Sequence, residues 1–280
     1  MRDSVTEKNI LAKFMLITLD KESFQLVKNL RIERLEVISV DELMEHYPKV
    51  KLAKENRTRK EFIFSLTPYI LEYGMNIYNP DVCIYLDSDV YLFRNPEDFI
   101  QENSADVGIV PHFFPSHLKH LERYGKYNVG FVYFKNSNNG RRVLNWWREK
   151  CSISTSTDIS SGVFGDQKYL DSFENLGVCV EVILDIEIGR APWNSYDCNR
   201  NSTKMFHFSG LERSTFCFIS GHHAYRWRAT RKTIKQIYRP YIEKLKLKER
   251  ELSLNYVGLQ KNLDLEKFKM LLMYLDFHWY

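Results

Sequence analysis

The segment Cys83-Ile-Tyr-Leu-Asp-Ser-Asp-Val-Tyr-Leu-Phe93 constrains this chain more than any other. Val82, Ile84 and Leu86 alternate with Cys83 and Tyr85 in a short apolar run, the pattern of a buried strand. Two carboxylates, Asp87 and Asp89, follow at its end. An unpaired buried charge is costly and is either compensated or neutralised. On an extended chain, residues two apart point the same way, so both carboxylates can aim at one cation. Hard oxygen ligands on an open site suit Mg2+ or Mn2+, with phosphate oxygens completing the shell. Asp-X-Asp also occurs in exposed turns, and the apolar strand in front is what favours the metal reading here.

The rest of the chain supplies a setting for that strand. Phe14–Leu19 and Leu35–Val40 read as strands, with a helix over Glu22–Leu30 between them. Asp41 is a candidate cap for a helix over Glu42–His46. The basic stretch Lys51–Lys60 opens a helix that Phe62–Tyr73 continues, with a kink or a new start at Pro68. Asn95-Pro96 turns the chain into a short helix over Glu97–Gln101. Val107–Pro111 and Tyr127–Lys135 are strands, Arg141–Cys151 a helix, and 152–162 a polar loop. A helix starts within Gly165–Phe173, and Cys179–Leu184 and Lys204–Phe208 are short strands. From Ala229 onward the pattern is mainly helical, broken at Pro240. Strands alternating with helices through residue 208 predict a three-layer α/β sheet, with the C-terminal helices packed on it.

Bulk properties exclude several classes. At 280 residues the chain suits one large α/β domain plus an extension. A formal charge of +4 does not describe a general nucleic-acid binder. The five cysteines (83, 151, 179, 198 and 217) are scattered and lack CxxC spacing, so neither a zinc site nor a disulfide framework is expected, and a reducing, cytoplasmic setting is. No apolar run reaches the length of a membrane span, and Met1–Ile10 is polar without a signal-peptide core. The aromatic share of 14% fits a bulky core better than a stacking surface for sugars or bases.

Four further segments carry groups suited to chemistry. Tyr127-Asn-Val-Gly-Phe131 puts Asn128 and Gly130 at the mouth of a strand, where a glycine permits close approach to backbone. Gly165-Asp-Gln167 offers a carboxylate and a carboxamide, Asp166 and Gln167, to sugar hydroxyls. Ala191-Pro-Trp-Asn194 presents an indole and an amide. Met205-Phe-His-Phe-Ser-Gly210 ends a strand with His207, a candidate third metal ligand, and Gly210 exposes a backbone amide suited to phosphate. Each has a plainer reading: Asn128 as a strand cap, Asp166 as a helix N-cap, Trp193 as core, His207 as a hydrogen-bonded structural residue.

Taken in order, these segments resemble a nucleotide-diphospho-sugar transferase of the GT-A fold. They are most similar to bacterial glycosyltransferases related to family eight, which retain anomeric configuration. Arg59–Pro68, Arg141–Cys151 with Trp146-Trp147, and Ile237-Tyr-Arg-Pro-Tyr241 resemble the same group, so the likeness spans 14–245. The resemblance implies that Asp87, Asp89 and His207 hold Mn2+ or Mg2+ and the donor's diphosphate. It implies that Asn128, Asp166 and Gln167 contact the transferred sugar, and that Arg59, Gly130, Asn194 and Gly210 line the donor. It implies a hexose moved from a nucleotide-diphosphate sugar, with uridine as base, to a glycan or lipid-linked hydroxyl. Two departures stand out. The family has a lysine three residues after the glycine, with Pro-Trp following; here the position is Arg213, expected to bind the donor by gripping phosphate in its place, and no Pro-Trp follows. Phe14–Leu19 resembles the family's second strand, so the first strand–helix unit is expected to be missing and nucleotide affinity weakened.

The expected organisation is a GT-A domain over 1–225 and a basic helical extension over 226–280. Arg226–Arg250 reads first as a solvated face and second as a patch for anionic membrane. Two rivals are weighed. Leu86–Val90 also matches the first motif of haloacid dehalogenase-type phosphohydrolases, with Asp87 as nucleophile and Asp89 as acid, and Gly165–Asp171 mimics their acidic last motif. Strands ahead of Asp87 and the polar run Thr155–Gly162 oppose that reading. The other rival is a degenerate, non-catalytic transferase-like binding protein.

Overall fold

The computed structural model describes residues 12–100, 105–214 and 217–251. The expected decapeptide at the N-terminus, the end of the 97–101 helix and the helices beyond 251 lie outside those residues. β1 (Phe14–Thr18), α1 (Lys21–Asn29) and β2 (Leu35–Ser39) form a parallel strand–helix–strand unit, Phe14 paired with Leu35 and Thr18 with Ser39. Ser39, not Asp41, caps α2 (Val40–His46), accepting from the Glu42 N–H. The expected single helix from Lys51 is divided. α3 (Pro48–Asn56) stops, and α4 (Arg59–Tyr78) starts afresh at a capping box in which Thr58 and Glu61 satisfy each other's backbone N–H. Pro68 lies inside α4 without ending it.

The central sheet has the order β3–β6–β5–β7, from β3 (Val82–Leu86), β6 (Tyr127–Lys135), β5 (Val107–Pro111) and β7 (Val180–Val182). β6 runs antiparallel to both β3 and β5, so its first residues lie at the edge where β3 and β5 end. The β5–β6 register jumps there: Ile109 faces Val132, but Val110 faces Asn128. Residues 129–131 bulge out of the ladder with β5, and such bulges re-aim side chains. One face of the sheet packs on α4 and on α5 (Asn138–Ile153), through Leu71, Met75, Val143, Leu144 and Trp147 against Val132 and Phe134. The other face carries a two-stranded antiparallel ribbon of β4 (Val90–Leu92) and β8 (Met205–His207), with Phe131, Tyr133 and Val110 against Val90, Leu92 and Met205. The ribbon covers the central strands on this second face.

After the hairpin β9 (Glu212–Arg213) and β10 (Phe218–Ile219), a continuous helical run extends from Arg231 to Glu251. It is α6 (Arg231–Thr233), a π turn (Ile234–Tyr238) and α7 (Arg239–Glu251). The break expected at Pro240 does not occur. The Arg239 N–H bonds the Ile234 carbonyl five residues back, and this widened turn stands directly ahead of the proline, whose ring would crowd a normal turn. Ile237, Tyr238, Tyr241 and Ile242 cover Tyr91, Phe206 and Phe208 of the ribbon, with Phe208 and Tyr241 stacked at 3.9 Å. Among the described residues, no helix is long and apolar enough to cross a membrane.

Gly108 on β5 tests this packing. A Cβ there would lie 1.8 Å from Tyr133, whose ring is fully buried and whose hydroxyl donates to Glu181 at 2.6 Å. Gly108→Ala is expected to lower unfolding free energy by about 1–3 kcal/mol, read by urea denaturation. An unchanged midpoint and slope would show that the ring has room to yield.

Candidate active site

The site forms where β3 ends, β6 begins and β8 ends. β3 delivers Asp87, whose backbone N–H bonds the Gly130 carbonyl at 3.3 Å. The chain turns and re-enters as β4, where Val90 pairs with His207. That register sets the imidazole beside both carboxylates: Nε2 lies 3.1 Å from Asp89 Oδ1 and 3.6 Å from Asp87 Oδ2. Backbone bonds pin the approach, from the Phe208 N–H to the Asp89 carbonyl and from the His207 N–H to the Arg190 carbonyl, both at 2.8 Å. One ligand atom from each of Asp87, Asp89 and His207 lies within 4.8 Å of the others. Two carboxylate oxygens and one imidazole nitrogen, half open to solvent, form a donor set suited to Mn2+ or Mg2+.

Electrostatics separates the two aspartates. Burial pushes the Asp87 pKa up; the His207 charge opposes this and the Asp89 charge adds to it. Burial also acts on Asp89, but its hydrogen bond and charge interaction with His207 outweigh it, and Asp89 ends below the usual range. Burial opposes a charged imidazole, yet the hydrogen bond to Asp89 and the charge of both carboxylates raise the His207 pKa overall. The Tyr85 hydroxyl donates to Asp87 Oδ1 at 2.8 Å, which leaves Oδ2 toward the imidazole. Tyr85 also meets Thr67, and Thr67 in turn hydrogen-bonds Asp166. A buried polar line therefore joins Asp87 to Asp166.

Asp166 is not a helix cap; its side chain makes no capping bond, and its carbonyl accepts from the Trp147 indole at 2.9 Å. Only 4% exposed, its carboxyl is pushed up to about 7 by burial, with Thr67 pulling down and Asp87 pushing further up. Gln167 donates to the Tyr124 carbonyl at 3.3 Å and hydrogen-bonds His112, a fully buried imidazole whose pKa burial drives down to about 4. His112 stacks on Phe114 at 4.6 Å, and its carbonyl accepts from the Trp193 indole at 2.5 Å and the Asn194 amide at 3.1 Å.

The remaining expected residues fall in two groups. Asn128 and Gly130 stand against His207. A Cβ on Gly130 would lie 2.8 Å from His207 Nδ1, so the space this glycine leaves is taken by the imidazole. Asn194 braces its own turn: its amide donates to the His112 and Gly189 carbonyls and its oxygen accepts from the Ala191 N–H. Gly210 has φ +72°, and Gly221 passes within 3.2 Å of where its Cβ would be. Arg213 is engaged by Glu249 of α7 at 3.4 Å and lies over the Phe218 ring. Arg59 opens α4, exposed, with its charge acting on Asp20 beyond β1. Tyr85, Thr67 and His112 have no site role in the sequence reading. Only Tyr85 left a signal, a phenol on the helix-facing side of an otherwise aliphatic strand.

The sequence profile described as nucleotide-diphospho-sugar transferase matches residues 9–237. The chain belongs to that family. Its α/β architecture is accordingly that of the GT-A fold. Two relatives come from Bacillus subtilis (strain 168), both carrying the description uncharacterized protein. YfnF is 30% identical over 192 residues, covering 64% of this chain and 61% of YfnF. YfnD is 26% identical over 247 residues, covering 82% of this chain and 78% of YfnD. This chain thus spans less than two thirds of YfnF. Among solved structures, a glycosyltransferase involved in the glycosylation of the major capsid of PBCV-1 aligns with a TM-score of 0.44 and 13% identity, over 71% of this chain and 93% of that one. Membership disposes of the phosphohydrolase reading. Asp171, which would end its acidic motif, is held by the Lys126 N–H and Lys168 at 2.8 Å each.

Asp166 yields a test. Its folded pKa of about 7 lies above the ordinary 3.8, so between those values the unfolded chain ionises while the folded carboxyl keeps its proton. The stabilisation is full below about pH 4 and falls away as pH rises to about 7. Asp166→Asn removes that loss. Urea denaturation across this window is expected to show the wild type losing a few kcal/mol relative to the variant. Parallel pH profiles would show that Asp166 ionises normally.

Proposed function

We propose that this chain is a metal-dependent glycosyltransferase. It moves a hexose from a nucleotide-diphosphate sugar, a uridine diphosphate sugar by preference, to a hydroxyl acceptor with retention. The observation that carries this reading is the convergence of Asp87, Asp89 and His207 at the strand ends of a chain in the nucleotide-diphospho-sugar transferase family. Asp87, Asp89 and His207 would hold Mn2+ or Mg2+, and the bound cation supplies positive charge against the diphosphate as it leaves.

The residues around it have separable parts. Tyr85 orients Asp87 by taking up one oxygen. Asp166, its carboxyl pushed up to about 7, keeps a protonated fraction near neutrality that can donate a hydrogen bond to a sugar hydroxyl without placing a second full charge beside Asp87. Gln167, steadied by Tyr124 and His112, offers a neutral amide to the developing positive charge at the anomeric carbon. The Gly210 turn exposes backbone to phosphate. The acceptor is a glycan or a lipid-linked compound of bacterial surface glycan synthesis, in the cytoplasm. Peripheral contact of 226–250 with anionic membrane fits a lipid-linked acceptor and predicts salt-sensitive sedimentation with acidic liposomes; indifference at low salt removes it.

The decisive test screens nucleotide sugars for Mn2+-dependent release of nucleoside diphosphate. Asp89→Asn is expected to reduce release about 100-fold or more, and chelation of the cation to abolish it. A variant as active as the parent would overturn the site assignment.

A further inference from the structure

Gly130, Asn128 and His207 form a hydrogen-bond chain whose polarity can be read from one end. The Gly130 N–H can only donate, and it lies 2.9 Å from Oδ1 of Asn128. That contact orients the carboxamide, with Oδ1 toward Gly130 and Nδ2 away. Nδ2 then lies 3.2 Å from Nδ1 of His207. An amide NH2 has only protons to offer, so Nδ1 is the acceptor. A ring with one proton carries it on Nε2, where Asp89 Oδ1 takes it at 3.1 Å. Asn128 and His207 are both buried, so bulk water does not replace either partner.

A histidine that ligates a cation through Nε2 needs the opposite arrangement. The ligating nitrogen is bare, and the other donates its proton to a carboxylate, a carbonyl or water. Here a proton on Nδ1 would meet the Asn128 NH2, donor against donor. Turning the carboxamide over would satisfy Nδ1 but set the NH2 against the Gly130 N–H. The ring has little room to evade the choice, being closely packed over Gly130 and closed edge-on by Trp193 at 6.0 Å.

We propose that Asn128 is a tautomer lock on His207. It holds the imidazole as a hydrogen-bond donor to Asp89 and so withholds Nε2 from a divalent cation, leaving the two carboxylates to bind it weakly. The proposal rests on the reading of Asp87, Asp89 and His207 as a cation site. Its consequence is ordered loading. The cation alone recruits His207 only by mispairing one buried hydrogen bond, whereas a cation that arrives with diphosphate brings further contacts that offset the mispairing. Asn128 is a positioning residue in this role, acting through the imidazole.

Asn128→Asp tests the lock. One carboxylate oxygen still accepts from Gly130, and the other accepts a proton from Nδ1, which frees Nε2. Mn2+ titration followed by the electron paramagnetic resonance of the free ion, without nucleotide, is expected to show binding about 10–100-fold tighter than in the parent. Added negative charge alone would also tighten binding, so the titration is repeated in a His207→Gln background, where most of the gain is expected to vanish. An equal gain in both backgrounds, or none with His207 present, overturns the lock. Nitrogen-15 NMR of the wild-type imidazole without metal provides an independent readout: Nδ1 bare and Nε2 protonated is expected. A proton on Nδ1, or on both nitrogens, overturns the proposal whether or not the variants fold. Failure of the cation site itself has a different signature. In that case no protein binds Mn2+ even with uridine diphosphate present, and both readings fall.

Discussion

The pairing of Val90 with His207 is the contact on which this site depends. It brings a histidine more than a hundred residues downstream to within 3.1 Å of Asp89 through one short ladder of three residue pairs. A slip of one residue would turn the imidazole to the opposite face of the ribbon, away from both carboxylates. The ribbon is protected against such a slip from both sides. Val90, Leu92 and Met205 face the central sheet, while Tyr91 and Phe206 face the aromatic cluster under the C-terminal helix. The two apolar faces are not interchangeable, because one meets aliphatic residues and the other a stack of rings. The approach of His207 to the two carboxylates is thus a product of core packing on both sides of a strand pair, and the C-terminal run contributes to it through the aromatic face.

The strands were legible because their patterns are nearly unbroken. β3, β5 and β6 are apolar on both faces, as strands covered on both sides must be. Asp87, Asp89 and His207 were legible for a related reason: charged or titratable groups at the ends of such strands have few structural excuses. Other features were written in the sequence and passed over. Thr58 and Glu61 stand at capping-box spacing, which divides the helix that a basic run alone suggested to be continuous. The roles of Thr67 and His112, and the use made of the Tyr85 hydroxyl, were not legible for a different reason. Each acts through one contact made by tertiary packing, and a lone phenol, hydroxyl or imidazole carries no spacing to recognise.

Pro240 shows how tertiary context overrides a local rule. A proline ends a helix when nothing outside holds the chain in line. Here Tyr238, Tyr241 and Ile242 are anchored on the ribbon on either side of it, and the backbone accommodates the ring by widening one turn instead. The second face of the central sheet is covered by β4 and β8, because the chain leaves Asp89 directly into a strand. Binding chemistry and layer composition are therefore coupled. The ligand that closes the site and the covering of the central sheet are the same two strands.

Charge balance gives this arrangement its direction. Of three neighbouring carboxyl groups, Asp87 and Asp89 share one imidazole, and Asp166 lies deeper, in reach of the Asp87 charge. The protein manages them by different means. Burial, against the opposing pull of Thr67, pushes the Asp166 carboxyl up to about 7, whereas His207 holds Asp89 below the usual carboxylate range. Asp87 lies between these cases, raised by burial and by its neighbour's charge but offset by the imidazole. All three compromises ease in the same direction when positive charge arrives. A divalent cation favours ionised Asp87, relieves the repulsion between Asp87 and Asp89, and weakens the push that Asp87 exerts on Asp166. Binding and stability are linked in such a site, because anything that binds the folded chain alone shifts its unfolding equilibrium. On the proposed reading, the partly buried carboxylates that cost stability in the polypeptide by itself are the same groups that would favour a cation bearing phosphate in the folded state.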